Sequence, residues 1–375
     1  MVRDRRTGLA VTTDLDDDGL RRAAEGAALL AAAGEPVPGA RLGDPGPART
    51  HDGFDPVVLS LDASSAGAAL LGAAGVQGAF RAGAARTAIA STRGVRAYEQ
   101  RTFAEVRVRR GTPEGRSLEL SAAAVGPGGV DPAELAAETD ALLGAGTPAA
   151  VAEGEHAVVL GPWAVAEVLR RAAVTFAGGN LHGRMSTRVA ATTINLSDSP
   201  RYPGTLPRAF DAEGVPRQPV PLIQDGVAHR AVHDATSGTS TGHARAPGGL
   251  GGPLPEHLVL VGGGCEGLAE LATPVAGGLL VPGLSLRGSW VIGEPGSAMA
   301  EGVHHIRGGE IAEPAPNLMV FFEPLELLSA VQALTATQRA VPATPFPQDS
   351  ARTASATLAP GLRADGAVHV VGPIA

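Results

Sequence analysis

The sequence predicts an α+β fold, a mixed helix and strand half followed by a β-rich half, and three observations predict it. Helix start and stop signals frame segments of the first 150 residues, a period-two strand lies between them, and after His156 short apolar segments alternate with glycine and proline turns. At 375 residues the chain is long enough for about two domains at roughly 150 residues each, and we expect residues 1–150 to form an N-terminal α+β domain and residues 151–375 a β-rich C-terminal domain. The small, polar, proline-containing stretch Gly146 to Glu155 marks the boundary.

Taken in order, Asp16 to Ala33 opens on acidic residues, carries the apolar set Leu20, Leu29 and Leu30, and meets Gly34 just past its end, as a helix does. Thr102 to Arg109 alternates Ala104, Val106 and Val108 with Glu105, Arg107 and Arg109, the pattern of a half-buried strand. Asp131 as cap, Pro132 in the first turn, Glu134 three residues after the cap and Gly144 as terminator predict a helix over Ala133 to Leu143. A further helix is expected over Pro162 to Phe176. Val220 to Ile223 and Val227 to Val232 flank Gln224-Asp225-Gly226, where Asp-Gly supplies the positive φ of a hairpin turn. His304 to Ile306 and Glu310 to Ala312 repeat that pattern around Arg307-Gly308-Gly309. Asp198 to Pro221 and Ala244 to Pro255 read as loops, Leu325 to Leu334 as a helix, and the tail from Val341 as irregular until a last strand at Val368 to Val371.

Composition excludes several functions. Hydrophobic residues make up 44% of the chain but aromatics only 3%, so the core is built from small aliphatic side chains. All 30 basic residues are arginine, which removes a Schiff-base lysine, a phosphate-loop lysine and a lysine general base. A net charge of -8 has the wrong sign for binding a phosphate backbone, so no nucleic-acid partner is expected. Cys265 is the only cysteine, leaving no disulfide and no multi-cysteine metal site within one chain, and a reducing cytoplasm is the expected compartment. Met1 to Asp18 lacks the apolar stretch of a signal peptide, and no apolar run reaches the ~18 residues of a membrane span, so no membrane partner is expected.

Several short motifs imitate known sites. Gly262-Gly263-Gly264-Cys265-Glu266-Gly267 fits a dinucleotide-binding turn, yet Pro274 cuts short the helix that should follow, and a glycine-rich connection is the better reading. Gly238-Thr239-Ser240-Thr241-Gly242 fits a nucleophile elbow, with Asp349 and His369 downstream, which keeps a serine hydrolase using Ser240 as an alternative. The following His243-Ala244-Arg245-Ala246-Pro247-Gly248-Gly249 cannot supply the helix that such an elbow needs. His229, His233 and His243 invite a zinc reading, but His229 and His233 fall on an expected strand, where residues four apart lie ~13 Å from each other. His304 and His305 would point to opposite faces of theirs, and Cys265 by default is a small buried residue.

In the second half, Val158-Val159-Leu160-Gly161-Pro162, Phe210-Asp211-Ala212-Glu213-Gly214-Val215-Pro216, Leu222-Ile223-Gln224-Asp225-Gly226-Val227, Ser240-Thr241-Gly242-His243-Ala244-Arg245, Ile306-Arg307-Gly308-Gly309-Glu310-Ile311 and Asn317-Leu318 recur in order. In these stretches the chain resembles the TldD/PmbA family of metallopeptidases and their partner subunits. The first half agrees more loosely, and since family members usually carry a further segment before it, the resemblance implies a first domain truncated at its start.

The TldD side of the family carries H-E-x-x-x-H on the helix after the Val-Val-Leu strand, two histidines for zinc and a glutamate to activate water. Here, by alignment, Arg170 and Thr175 take the histidine positions and Arg171 the glutamate position. A guanidinium offers no lone pair and repels a cation. Cys265 also lies too early to be the family's cysteine ligand. The resemblance therefore implies a PmbA-like (TldE-like) chain with no catalytic residue, metal or cofactor of its own, paired in a heterodimer with a zinc-bearing TldD-type subunit that cuts a peptide. Ser240, Thr241, Gly242 and His243 are the expected peptide-contacting turn, and Arg170 and Arg171 could grip a substrate carboxylate. The alternative from another class is a non-catalytic, homodimeric protein-binding modulator, in line with the family's older description as a modulator of DNA gyrase.

Overall fold

The computed structural model describes residues 1–47, 50–74, 77–181, 183–286, 290–343 and 354–374. A small hairpin, β1 (Val2–Arg3) and β2 (Arg6–Thr7), leads into helix α1 (Asp17–Ala33), whose N-terminus is capped by the Asp16 carboxylate accepting from the Gly19 amide. The apolar set of its sequence is not its buried face: Leu20, Leu29 and Leu30 are exposed, and Gly19, Ala27 and Ala31 are buried. The reason is close approach. A Cβ on Gly8 would lie 2.0 Å from the Ala27 carbonyl oxygen, so only small residues fit between helix and hairpin.

Helix α2 (Ala63–Ala74) precedes a three-stranded antiparallel sheet in the order β3 (Gln77–Ala90), β4 (Arg96–Gly111), β5 (Ser117–Ala124). The expected period of two holds along β4. Ala104, Val106 and Val108 are buried on the face covered by α2 and by α3 (Pro132–Leu143), which the Asp131 carboxylate caps through the Ala133 and Glu134 amides. On the opposite face Glu105 is buried too, because Arg81 and Arg107 both pair with it.

The second sheet has 13 strands among the described residues. They begin with β6 (Gly154–Leu160), followed by helix α4 (Pro162–Val174), β7 (Leu196–Asp198), β8 (Val220–Gln224), β9 (Val227–Ala228) and β10 (Leu258–Leu260). Helix α5 (Leu268–Ala272), β11 (Gly277–Val281), β12 (Gly283–Leu286), β13 (Gly296–Glu301), β14 (His304–Arg307), β15 (Glu310–Pro314) and β16 (Leu318–Phe322) come next. The chain closes with α6 (Pro324–Ser329), β17 (Val331–Pro342) and β18 (Ala356–Pro373).

Two expectations for the end of the chain are corrected. The helix expected over Leu325 to Leu334 stops at Ser329, since Val331 onward pairs with β18, and the tail read as irregular is a long strand from Ala356. Strand β18 organises the sheet, with β6, β16 and β17 antiparallel and β10 parallel to it. Both Gly-containing hairpins form, the first with a second strand that ends at Ala228 instead of the expected Val232, and Asp225 and Gly226 adopt the positive φ of 47° and 76° that their turn needs.

One hydrophobic core runs from Ala104 on β4 to Val370 on β18, so residues on both sides of position 150 share it. Arg116 reinforces the join. Its buried guanidinium donates to the carbonyls of Ala315 (3.0 Å), Gly144 (3.2 Å) and Val303 (3.3 Å), tying the start of β5 to the second sheet.

Candidate functional site

Helix α4 is buried nearly all round, because it lies against β18 and β12 on one side and α6 on the other. A charged side chain on such a helix must find partners. Arg170 is almost wholly buried, pairs with Glu167 one turn earlier, and donates to the carbonyls of Val341 (3.1 Å) and Pro342 (2.7 Å) at the end of β17. Arg171 is half-buried, with its guanidinium 5.6 Å from the Trp290 ring centroid, and Trp290 in turn packs on Phe322 at 5.0 Å. Burial lowers the pKa of Arg171, with Glu167 opposing and Arg170 adding to the shift. Thr175, the C-cap of α4, is buried. Three positions that would have to supply two zinc ligands and a base thus hold two guanidinium groups and a hydroxyl, which do not fit a zinc ion. Among the described residues no three His, Cys, Asp or Glu side chains converge as a metal site.

The turn Ser240 to His243 lies elsewhere, in a knot of loops held by buried charge. Gly242 has φ of 80°, and a Cβ there would fall 2.4 Å from the Pro216 carbonyl oxygen, so the turn presses against the Pro216–Arg217 backbone. Thr241 accepts from the His233 amide (2.9 Å) and meets His243 Nδ1 at 2.9 Å. His243 Nε2 lies 3.2 Å from Asp198 Oδ1, within ion-pair reach but outside hydrogen-bond geometry. Thr241, His243 and Asp198 thus form a line resembling a catalytic triad, yet His243 and Asp198 are completely buried. The line braces the loops. Ser240 is half-buried, its hydroxyl 3.5 Å from the His233 carbonyl, and the next α-helix begins only at Leu268. Asp349, its expected partner, lies outside the described residues, and His369 sits on β18 paired with Phe321 and Glu155. His229 and His233 follow the short β9 instead of lying on a long strand.

Around this line the burial of charge is extensive. Asp198 Oδ2 accepts the amides of Glu256 (2.6 Å) and His257 (3.1 Å). Burial opposes its ionisation, but His243, His257 and Arg217 outweigh that and hold its pKa well below the usual carboxylate range. His257 is driven down to about 4 by burial and by Arg217, against Asp198 and Glu256, and so remains neutral while its Nε2 meets the Leu206 carbonyl at 2.8 Å. Arg217 pairs with Glu256, whose carboxyl is brought to about 2 against the effect of burial. Further out, Glu99 on β4 meets Arg208 (3.4 Å), His51 (3.3 Å) and the Ala209 amide (2.8 Å), which joins the first sheet to the same loops.

The Asp211 and Glu213 carboxylates complete the knot. Asp211 accepts the amides of Glu213, Val215 and Ala244, and Glu213 accepts those of Gly248 (3.1 Å) and Ala235 (3.3 Å). Burial, with Asp211 and then Asp234 adding to it against the two amides, raises Glu213 to about 7. Asp198, Arg217, Glu256 and His257 were not singled out from sequence. The signal present was charge inside proline- and glycine-rich loops, which cannot be told from solvated loop polarity without the fold.

This architecture, one large mixed sheet organised by a long C-terminal strand beside a small antiparallel sheet, has known relatives. Residues 150–369 match the family described as the PmbA/TldA metallopeptidase C-terminal domain, and the chain belongs to that family. A candidate modulator of DNA gyrase from Thermotoga maritima is similar with a TM-score of 0.78 and 19% identity, over 98% of this chain and 87% of its own. TldE from Thermococcus kodakarensis gives 0.77 and 19%, over 99% and 88%. A further candidate modulator of DNA gyrase, from Bacteroides thetaiotaomicron, gives 0.77 and 18%, over 98% and 86%. At these identities the likeness establishes the α+β fold. No curated protein matches the sequence. No helix among the described residues is long and apolar enough to cross a membrane.

Proposed function

We propose that this chain is the metal-free, TldE-like subunit of a heteromeric peptidase of the TldD/PmbA type, and that a TldD-type partner carries the zinc and cuts the peptide. One observation carries the reading: the α4 positions aligned with the family's zinc motif hold Arg170, Arg171 and Thr175, and Arg170 is committed to Glu167 and two main-chain carbonyls. A guanidinium so held neither ligates a cation nor yields its place to one. The peptide would add as a strand. β3, paired only with β4, offers an open edge of 14 residues among the described ones, and strand addition reads main-chain groups and tolerates many sequences. The Ser240 to His243 turn contributes by fixing the loops around Pro216. The compartment of this reading is the cytoplasm.

Co-expression with a candidate TldD-type chain tests the reading. Expected are a stable complex, one zinc per heterodimer by elemental analysis, and peptide cleavage by the complex but not by the lone chain. Stoichiometric zinc together with hydrolysis in the lone chain would overturn it.

A further inference from the structure

A second pair of arginines, Arg184 and Arg188, lies outside α4. An open cleft of about 610 Å³ lies beside α6, within the range of small-ligand sites. Arg184, Thr187, Arg188 and Val189 line it from the turn before β7, and Leu325, Glu326, Ser329 and Ala330 from α6 and its end. The arginines are presented by a tight turn: the Arg184 carbonyl accepts from the Thr187 amide (3.1 Å) and hydroxyl (2.6 Å), and Ser186 takes a φ of 59°. Neither guanidinium forms an ion pair among the described residues; Arg188 donates to the Asp225 carbonyl at 3.1 Å.

Glu323, which also lines the cleft, is engaged as a helix cap. Glu323 is buried and caps α6 by accepting the Glu326 amide at 2.7 Å, and burial raises its pKa despite Arg184. The cleft thus brings two exposed guanidinium groups and the exposed Glu326 to one lining, with the buried Glu323 beside Arg184. Glu323 follows Phe322, whose ring packs at a tilt of 56° on Trp290, the ring that faces Arg171.

We propose that this cleft binds a short peptide of small residues with free ends, Arg184 and Arg188 taking the C-terminal carboxylate and Glu326 the N-terminal ammonium. A paired guanidinium site suits a planar carboxylate, which can accept two parallel hydrogen bonds. The choice of a peptide rests on the peptidase-subunit reading; the charge arrangement does not.

The test uses the full-length chain without a partner, titrated with trialanine, trialanine amide and N-acetyl-trialanine by isothermal calorimetry. Expected is saturable binding of trialanine, weakened at least tenfold by amidation, several-fold by acetylation, and at least tenfold by Arg184→Ala with Arg188→Ala. No binding, or equal binding of acid and amide, overturns the proposal, as does full affinity in a double variant that retains the native circular dichroism and melting temperature. Co-purification of the same variant with a TldD-type chain is scored separately. A chain that binds trialanine but pairs with nothing would sink the subunit reading and leave the cleft standing.

Discussion

Glu213 offers a stability measurement whose sign and size follow from its surroundings. Its carboxyl is buried beside Asp211 and Asp234 and is raised from 4.5 to about 7 in the folded chain. A group raised on folding contributes stability that is complete below its unfolded value and is lost as pH climbs through the folded one. The window is therefore pH 4.5 to 7. A span of about 2.5 units, at ~1.36 kcal/mol each, is worth about 3 kcal/mol. His257 acts in the opposite sense: lowered to about 4, it costs stability as pH falls through the range from 6.5 to 4. The two slopes partly cancel in the wild-type chain. Glu213→Gln removes one and leaves the other. It also turns an amide NH₂ toward either the Gly248 or the Ala235 amide, at a cost of about 1 kcal/mol that does not vary with pH. Urea unfolding at pH 5, 6, 7 and 8 should show the variant gaining on wild type by about 2–3 kcal/mol across the series. Parallel profiles for the two proteins would refute the reasoning.

Asp198→Ala strips acceptors from the Glu256 and His257 amides and removes the carboxylate beside the buried His243 ring, and should cost about 2–4 kcal/mol in urea unfolding at pH 7. Arg116→Met leaves the carbonyls of Ala315, Gly144 and Val303 without their donor and should cost roughly 3 kcal/mol, with β5 amides losing hydrogen-exchange protection first. Rebuilding the family motif with Arg170→His, Arg171→Glu and Thr175→His should lower the melting temperature and give zinc binding no tighter than micromolar by competition titration. The change frees the Val341 and Pro342 carbonyls while supplying only two histidine ligands.

What was legible in the sequence was what local chemistry decides. The Asp131 cap, Pro132 and Gly144 fixed α3 to within a residue, and Asp225-Gly226 fixed its hairpin, because each device acts on backbone within a few positions. The failures are non-local. Leu20, Leu29 and Leu30 look like a buried stripe, but the surface that α1 meets is a two-residue-wide hairpin approached through Gly8, and small residues win there. Leu325 to Leu334 has helical composition, yet Val331 onward is claimed by β18, a strand some 30 positions away whose own pattern is broken by Pro360, Gly361 and Gly366. The Ser240 to His243 turn was found, but its bracing acid Asp198 and the Arg217, Glu256 and His257 group behind it were hidden among loop residues.

The Arg170 clamp on α4 and the loop knot are held by separate sets of contacts. The knot draws its order from Asp198, Asp211 and Glu213 acting on main-chain amides and from Arg217 paired with Glu256, and among the described residues no side chain of α4 is a hydrogen-bond partner of theirs. Arg170 in turn satisfies carbonyls at the end of β17, which would otherwise close on a helix with no donor to offer. Helix α4 and the loop knot therefore draw their order from separate sets of contacts, the one from an arginine clamp on β17 and the other from carboxylates on main-chain amides.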